Sequence, residues 1–549
     1  MRQSDATAAR VKKVGDWVAD MLSAERPAWT LYSGVAAAVV VFVLAVLGWG
    51  YISGIGAYWQ QPLYDAGAHV SGWLFFKQDS WHFPIFDTSR MNYPDGGSII
   101  LTDSIPLVAF VAKLVGLVEN WHYFGLFVAG AYVLNALSLL WLFWQMRVRN
   151  VAAALSAATF ACFTTLYNIQ FESFFAQFVV ILSLGFYVRL RRRFVPRELG
   201  IFAALIVATL LIHPYLFAMS LGIFSVTLIA LWRREQLSLW AGAAWLGVIV
   251  AATGLVAWAS GYAAHPATGY QEHLYGTSSL FALDPTVLFR RAYSVDEIGM
   301  YLGAGFWILA IAGAVLLWRR RDVLRSHVWL VALCAAFLLL ALSNTLFVNG
   351  HQVFHANLPG PVAAVAEMFR ASKRFIVPLY YLVVAVGVVL LLRQKSRWGI
   401  MVVMVALAVQ IADTSYFVRD IHHSASAGQP VVLDQPAWRR RIDQANIVQV
   451  FPSYSCLFDY RSAPLGQQWT ASLELYQMTA QEDKISNSIR ASRRTKDCEA
   501  EARLGQNIPA HGNMFIYLAD DNKQFMVHPP KKCVDEEHTF EFGIYCTAP

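Results

Sequence analysis

The feature that most constrains this chain is a series of apolar runs of membrane-crossing length, such as LYSGVAAAVVVFVLAVLGWGYIS at residues 31–53. An α-helix rises about 1.5 Å per residue, so about 20 apolar residues cover the hydrocarbon core of a bilayer. Runs at 30–52, 122–146, 150–168, 172–190, 199–213, 214–232, 237–258, 301–318, 327–347, 375–393 and 397–413 give eleven expected spans. Charged residues make up 14% of the chain, against about 25% in soluble domains, and the deficit falls on roughly the first 415 residues. The expectation is a polytopic α-helical membrane protein.

Charge placement sets its orientation. The net charge of +7 does not point to nucleic acid, because the basic residues stand in short clusters between apolar runs. Arg26, Arg147/Arg149, Arg189 through Arg197, Arg233/Arg234, Arg319 through Arg325 and Arg393/Lys395/Arg397 fall at every second boundary. All can be cytoplasmic only with the N-terminus in and the C-terminus out. Residues 1–28 read as an amphipathic leader on the cytoplasmic surface, where Lys12, Lys13 and Arg26 meet anionic headgroups. No cleavable signal peptide is evident, since the first apolar run is too long for one. Ile105–Val118 is short and carries Lys113, so it is expected to lie along the outer surface. The chain thus divides into the leader, a membrane module at 29–420 with a first outer loop at 51–121, and a tail at 421–549.

The tail has the composition of a soluble domain. β-like runs at Ala445–Phe451, Met514–Leu518 and Thr539–Cys546, and helical patterns at Trp469–Ala480 and Ile485–Leu504, predict a small α/β domain. Cys456, Cys498, Cys533 and Cys546 all lie in it, whereas Cys162 and Cys334 sit inside spans. In an exported domain four cysteines suggest two disulfides with three alternative connectivities; a zinc site is the competing reading, without a Cys-x-x-Cys pair to favour it.

The first outer loop is dense in chemistry: YDAGAHVSGWLFFKQDSWHFPIFDTSRMNYPDGGSIILTDSIP at 64–106. Long loops are usually functional. Partial desolvation raises the pKa of a carboxylate towards the range useful to a base, and tryptophans such as Trp59, Trp73 and Trp81 offer flat faces to sugars or lipid, although they also collect at membrane interfaces. Asp87 and Asp95 stand in turn-like settings. At the outer boundaries, Arg370, Lys373 and Arg374 in FRASKRF break the positive-inside trend, as do Arg290 and Arg291 more weakly. Phosphate binding and headgroup contact both explain them.

One span, a long outer loop with an early Asp, and DSIPLVAFVAKLVG before the second span are similar to the integral-membrane C-type (GT-C) glycosyltransferases. More closely, YDAGAHVSGWLFFKQDSWHFPIF, MNYPDGGSIILTDSIPL, HPYLF, FRASKRFIVPLYYL and QIADTSYF resemble a poorly characterised bacterial branch of that superfamily. The resemblance implies a GT-C-like fold in a bacterial inner membrane, with an active site facing the periplasm. It implies inverting transfer of a sugar from a polyprenyl-phosphate donor to an envelope glycan, lipid or protein.

Asp65 matches the superfamily's loop acid and is the expected base; a helix-capping or loop-folding aspartate is the plainer reading. His69, Trp73, Asp103, His213, Arg290, Arg370, Lys373 and Arg374 are the candidate substrate-binding residues. Asp103 in TDSIP is read first as the N-cap of the surface helix, and His213 either meets the donor phosphate or caps a broken helix. No cofactor is required; a divalent metal could sit at His69 and its acidic neighbours, or at His351-x-x-x-His355 if that segment is helical, with no third ligand evident. The rival readings are an O-antigen ligase or polymerase, which would carry its features in a later loop, and a transporter, which would show internal repeats and mid-membrane charge.

Overall fold

The computed structural model describes residues 17, 20–60, 64–117, 121–266, 275–291, 300–457, 466–520, 523–535 and 538–547. Most of the expected leader, and residues 267–274 and 292–299, lie outside them. Each of the eleven apolar runs coincides with a helix: α1 (Ala28–Ser53), α4 (Phe124–Gln145), α5 (Val151–Cys162), α6 (Phe178–Arg192), α7 (Pro196–Leu210), α8 (Pro214–Trp232), α9 (Leu239–Ser260), α10 (Ala304–Trp318), α11 (Val328–Leu342), α12 (Val377–Leu392) and α13 (Arg397–Ser426). Between α1 and α4 the first loop holds α2 (Tyr64–Gln78) and the surface helix α3 (Pro106–Leu114). Seven helical stretches among the described residues are long and apolar enough to cross a membrane, and α5, α10 and α11 are shorter apolar helices. The protein is a polytopic helical membrane protein. Exposed Trp29, Trp49, Trp240, Trp258, Trp318 and Trp398 stand near the ends of their helices, as expected of an interfacial belt.

Two boundaries differ from expectation. Helix α13 runs on through the expected module boundary to Ser426, and α5 stops at Cys162 rather than near 168. The chain from Phe163 to Gln177 is irregular apart from a 3-10 turn at Glu172–Phe175. Irregular backbone at such depth persists only where protein groups satisfy it. Here Gln177 Nε2 donates to Leu166 O at 3.1 Å, Asn135 Nδ2 to Phe175 O at 2.9 Å, and Gln410 Nε2 to Phe163 O at 2.9 Å.

The tail is α/β. A five-stranded sheet of β1 (Ile447–Phe451), β2 (Ile485–Ser486), β3 (Asn513–Leu518), β4 (Thr539–Phe540) and β5 (Gly543–Thr547) has the order β2-β1-β3-β5-β4. The central β1–β2 and β1–β3 pairs are parallel and the β3–β5 and β4–β5 pairs antiparallel. Helices α14 (Gln435–Asp443), α15 (Gln467–Gln481) and α16 (Cys498–Gly505) accompany it. Disulfides join Cys456 to Cys498 and Cys533 to Cys546.

The helix expected at Ile485–Leu504 is a correction: only its last third is helical. Residues 486–492 instead pair their backbone with the first loop, and a tertiary ladder overrides helix propensity. Ser486 N donates to Arg90 O at 2.8 Å, Tyr93 N to Ser486 O at 2.9 Å, Asn92 N to Ser488 O at 3.2 Å and Ser492 N to Leu101 O at 2.7 Å. Gly97 fits the join because a Cβ there would come within 2.9 Å of Ile489 Cδ1. Buried Lys496 completes it, donating to Tyr93 O at 3.0 Å and Asn487 O at 2.8 Å while facing buried Glu501 at 3.4 Å. Removing one member of a buried ion pair leaves the other charge uncompensated. Lys496→Met should therefore lower the opening free energy of the docked segment by about 3 kcal/mol, read as faster hydrogen exchange at the Ser486 and Ser492 amides; unchanged exchange would contradict this docking role.

Candidate active site

Helix α2 begins the site. Asp65, His69 and Gly72 fall on one face at spacings of four and three, and Asp65 in the first turn suits the positive helix end. Gly72 is required by a close approach: a Cβ there would lie 2.2 Å from Thr102 Oγ1 and 2.6 Å from Ser104 Oγ. The Thr102–Ile105 turn therefore lies directly against the helix, with Ser104 Oγ donating to His69 O at 2.8 Å. Asp103 adopts φ +56° and Ile105 φ +50°. The left-handed region is strained for a β-branched residue, and such strain gathers at functional sites. Asp103 is not the N-cap of α3; Ile105 holds that position without a side-chain cap. Instead Asp103 Oδ2 accepts from Ser173 Oγ at 2.9 Å.

The irregular segment after α5 supplies the next wall. Glu172, fully buried, pairs through Oε2 with His69 Nδ1, and its Oε1 has no hydrogen-bond partner among the described residues. Burial opposes charge on His69, but Glu172, Asp103 and Asp65 outweigh it and hold the imidazole above its usual pKa. Arg374, in the 3-10 turn Ser372–Ile376 before α12, lies over the rings of Phe171, Phe174 and Tyr215 at 4.6, 5.4 and 5.3 Å.

The tail contributes Arg490. Its Nε and Nη2 donate to Asp65 Oδ1 at 3.1 and 2.6 Å, and its Nη1 donates to Tyr454 OH at 2.5 Å. The guanidinium also lies 5.4 Å from the Tyr454 ring and 5.8 Å from that of Trp469, which meets Tyr64 edge-on at 5.9 Å. Burial pushes the Asp65 carboxyl up, yet Arg490, His69 and Arg374 together hold it below the ordinary range. Asp103 moves the other way. Burial pushes it up to about 6 against the pull of His69, Ser173 and Arg374. The site thus presents an ionised carboxylate, a second carboxyl that titrates near neutrality, and two guanidiniums, Arg374 and Arg490, able to bind an anion.

Of the sequence-predicted residues, the structure gathers Asp65, His69, Asp103 and Arg374. His213 borders them: its Nδ1 accepts from Tyr215 N at 3.2 Å, capping α8. Trp73 does not offer a face to substrate. It is fully buried, edge-on to Tyr123 at 5.2 Å, and donates to Trp121 O at 2.9 Å. Lys373 is buried behind the 3-10 turn, its backbone N donating to Phe281 O at 3.1 Å. Arg290 is exposed beside Thr286 and Asp284, and neither it nor Arg370 contacts the cluster among the described residues. Asp87 accepts from or pairs with His265 Nε2 at 2.9 Å.

Glu172 and Arg490 were not singled out from the sequence. Glu172 left a signal, an acid within an apolar run, which marks function by default in membrane proteins; Arg490, one arginine among several in a polar tail, left none. His351 and His355 lie in an exposed strand, Thr345–Val348 pairing with His351–His355, so four residues separate their side chains by about 13 Å rather than one helical turn. Among the described residues no three His, Cys, Asp or Glu side chains are placed to hold one metal ion between them, and His69 Nδ1 is already engaged by Glu172.

No curated protein matches the chain. Among solved structures it is similar to the Archaeoglobus fulgidus oligosaccharyltransferase in the apo form, with 11% identity over 83% of this chain and 64% of that chain and a TM-score of 0.43. The complex of that enzyme with Zn and sulfate gives 13% identity, 83% and 62% coverage and a TM-score of 0.41. Archaeal oligosaccharyltransferase AglB in complex with an inhibitory peptide and a dolichol-phosphate gives 10%, 83%, 64% and 0.40. The chain spans less than two thirds of the length of these proteins. A family profile described as a domain of unknown function matches residues 36–415, more than half of the sequence, and the chain belongs to that family, DUF6311.

Proposed function

We propose that this protein is an inverting glycosyltransferase of the GT-C type that moves a hexose or pentose from a polyprenyl-phosphate donor to an envelope glycan, lipid or protein. The observation that carries the reading is the meeting of Asp65, His69, Asp103, Glu172, Arg374 and Arg490 at one end of the helix bundle. Shortly before Arg374 in the chain, the helix Gly360–Glu367 and its exit leave Val362, Val365 and Met368 exposed, an apolar surface suited to a lipid carrier. Acids and arginines gathered at one end of the bundle favour lipid-linked group transfer over transport, for which internal repeats would be expected.

In this mechanism an acceptor hydroxyl attacks the anomeric carbon as the bond from that carbon to the phosphate oxygen breaks. Asp65 takes the hydroxyl proton, and the lipid phosphate leaves with the bonding pair. Arg374 binds that phosphate and stabilises its charge. His69, fixed by Glu172, orients Asp65. The same reading has eleven crossings with N-terminus in and C-terminus out. It is supported by Arg147, Arg149, Arg192 and Arg393 gathering closely enough to act on one another, and by a tail with two disulfides, as suits an oxidising periplasm.

With a panel of polyprenyl-phosphate sugars, Asp65→Asn should lower transfer by at least about 100-fold with the fold retained; normal turnover would remove Asp65 as the base. Arg374→Ala should weaken donor binding about tenfold while acceptor affinity stays put; unchanged donor affinity would count against the phosphate role. Asp103 is mostly neutral at about pH 5 and ionised at about pH 7. Once ionised it repels a phosphodiester, whose own charge is constant in that window. Donor affinity should therefore fall as pH rises through about 6, and the step should vanish in Asp103→Asn; a step that survives there would assign it elsewhere.

A further inference from the structure

Arg490 poses a problem for a base. A carboxylate held by a guanidinium is a weak proton acceptor, yet the tail places this cation on Asp65 from 425 residues away. The placement is fixed by backbone rather than by the ion pair alone. Residues 488 and 492 on either side are hydrogen-bonded to Asn92 N and Leu101 O of the first loop, and Ile489 is buried. Only the side chain of Arg490 can change partner without undocking the segment.

Its present partners leave room for such a change. Nε and Nη2 both use Asp65 Oδ1, so the pair is not the parallel two-oxygen fork that makes arginine–carboxylate pairs strongest. Among the described residues the remaining contact is a phenol, Tyr454, with the Trp469 ring alongside. Asp65 and Arg490 keep 34% and 16% of their side-chain surface, which leaves the pair reachable. A phosphate offers a guanidinium two or more anionic oxygens in the spacing of its fork. Arg374 also acts on Asp65 electrostatically, so an anion beside Asp65 would lie in the field of both arginines.

We propose that Arg490 is a shared cation: it holds Asp65 in the empty site and passes to the donor phosphate when the lipid binds, so that the docked tail frees the base only in the loaded enzyme. This inference rests on the proposed function and adds to it a role for the tail, as the element that couples donor occupancy to base release.

The test is a double-mutant cycle in binding, with polyprenyl phosphate titrated into full-length protein in zwitterionic nanodiscs at fixed pH, and inorganic phosphate in a parallel arm. Arg490→Gln should weaken the lipid phosphate about tenfold, and Asp65→Asn should tighten it several-fold, because it releases Arg490. The gain from Asp65→Asn should largely vanish in the Arg490→Gln background. A gain of the same size in both backgrounds would mean simple removal of a negative charge and would overturn the exchange, as would equal affinities in wild type and Arg490→Gln. Absence of binding by every form would instead overturn the donor reading, and the exchange with it. Binding of inorganic phosphate with the same pattern would support the exchange with the phosphate alone as the trigger; the pattern with lipid phosphate only would support it with the carrier required. Hydrogen exchange at Ser486 and Ser492 reports docking, and if Arg490→Gln loosens the tail, the neutral Arg490→Met takes its place in the cycle with the same expected signs.

Discussion

A carboxylate taken out of water must find a cation or a proton, and that requirement organises one end of this protein's helix bundle. Three acids converge where α2, the Thr102–Ile105 turn and the irregular segment before α6 meet, and each solves the problem differently. Glu172 is fully buried and pairs with His69. Asp65 takes Arg490 from the tail. Asp103 has, among the described residues, a hydroxyl alone for a direct partner, and its carboxyl shifts towards neutrality. The differing answers make a site of mixed character from three residues of the same charge type.

The surrounding architecture serves this convergence. Helix α5 ends early so that the chain can carry Glu172 and Ser173 to the site, and Gln177, Asn135 and Gln410 satisfy the backbone that helix termination releases. Gly72 lets α2 touch the turn that bears Asp103. The tail is continuous with this arrangement, since its 486–492 segment extends the hydrogen bonding of the first loop. Membrane module and tail therefore share one boundary, and the boundary runs through the candidate site.

Much of this was legible in the sequence, for physical reasons. Bilayer thickness dictates the length of an apolar run, so the helices stand where hydropathy puts them; α5 departs because its last turn is replaced by polar residues whose partners lie far away in sequence. Asp65, His69 and Gly72 were legible as a group because helical periodicity puts them on one face. Asp103 was misread as a cap because TDSIP is a reasonable capping pattern, and only the contact with Ser173 turns it inward. Trp73 was misread because a tryptophan at an interface looks the same whether its ring is open or enclosed. Arg490 was illegible: nothing local marks it, and its role arises from docking between segments hundreds of residues apart.

If a lipid-borne phosphate reaches Asp65 from the side of the bilayer, a cryo-EM reconstruction of the protein in nanodiscs with a polyprenyl-phosphate sugar should show density for the phosphate within hydrogen-bonding reach of Arg374, the sugar towards Asp65, and the carrier along the apolar surface of Val362 and Val365. Donor density at the opposite, arginine-rich end of the bundle, or an Asp65 cluster closed off from lipid on every side, would contradict it.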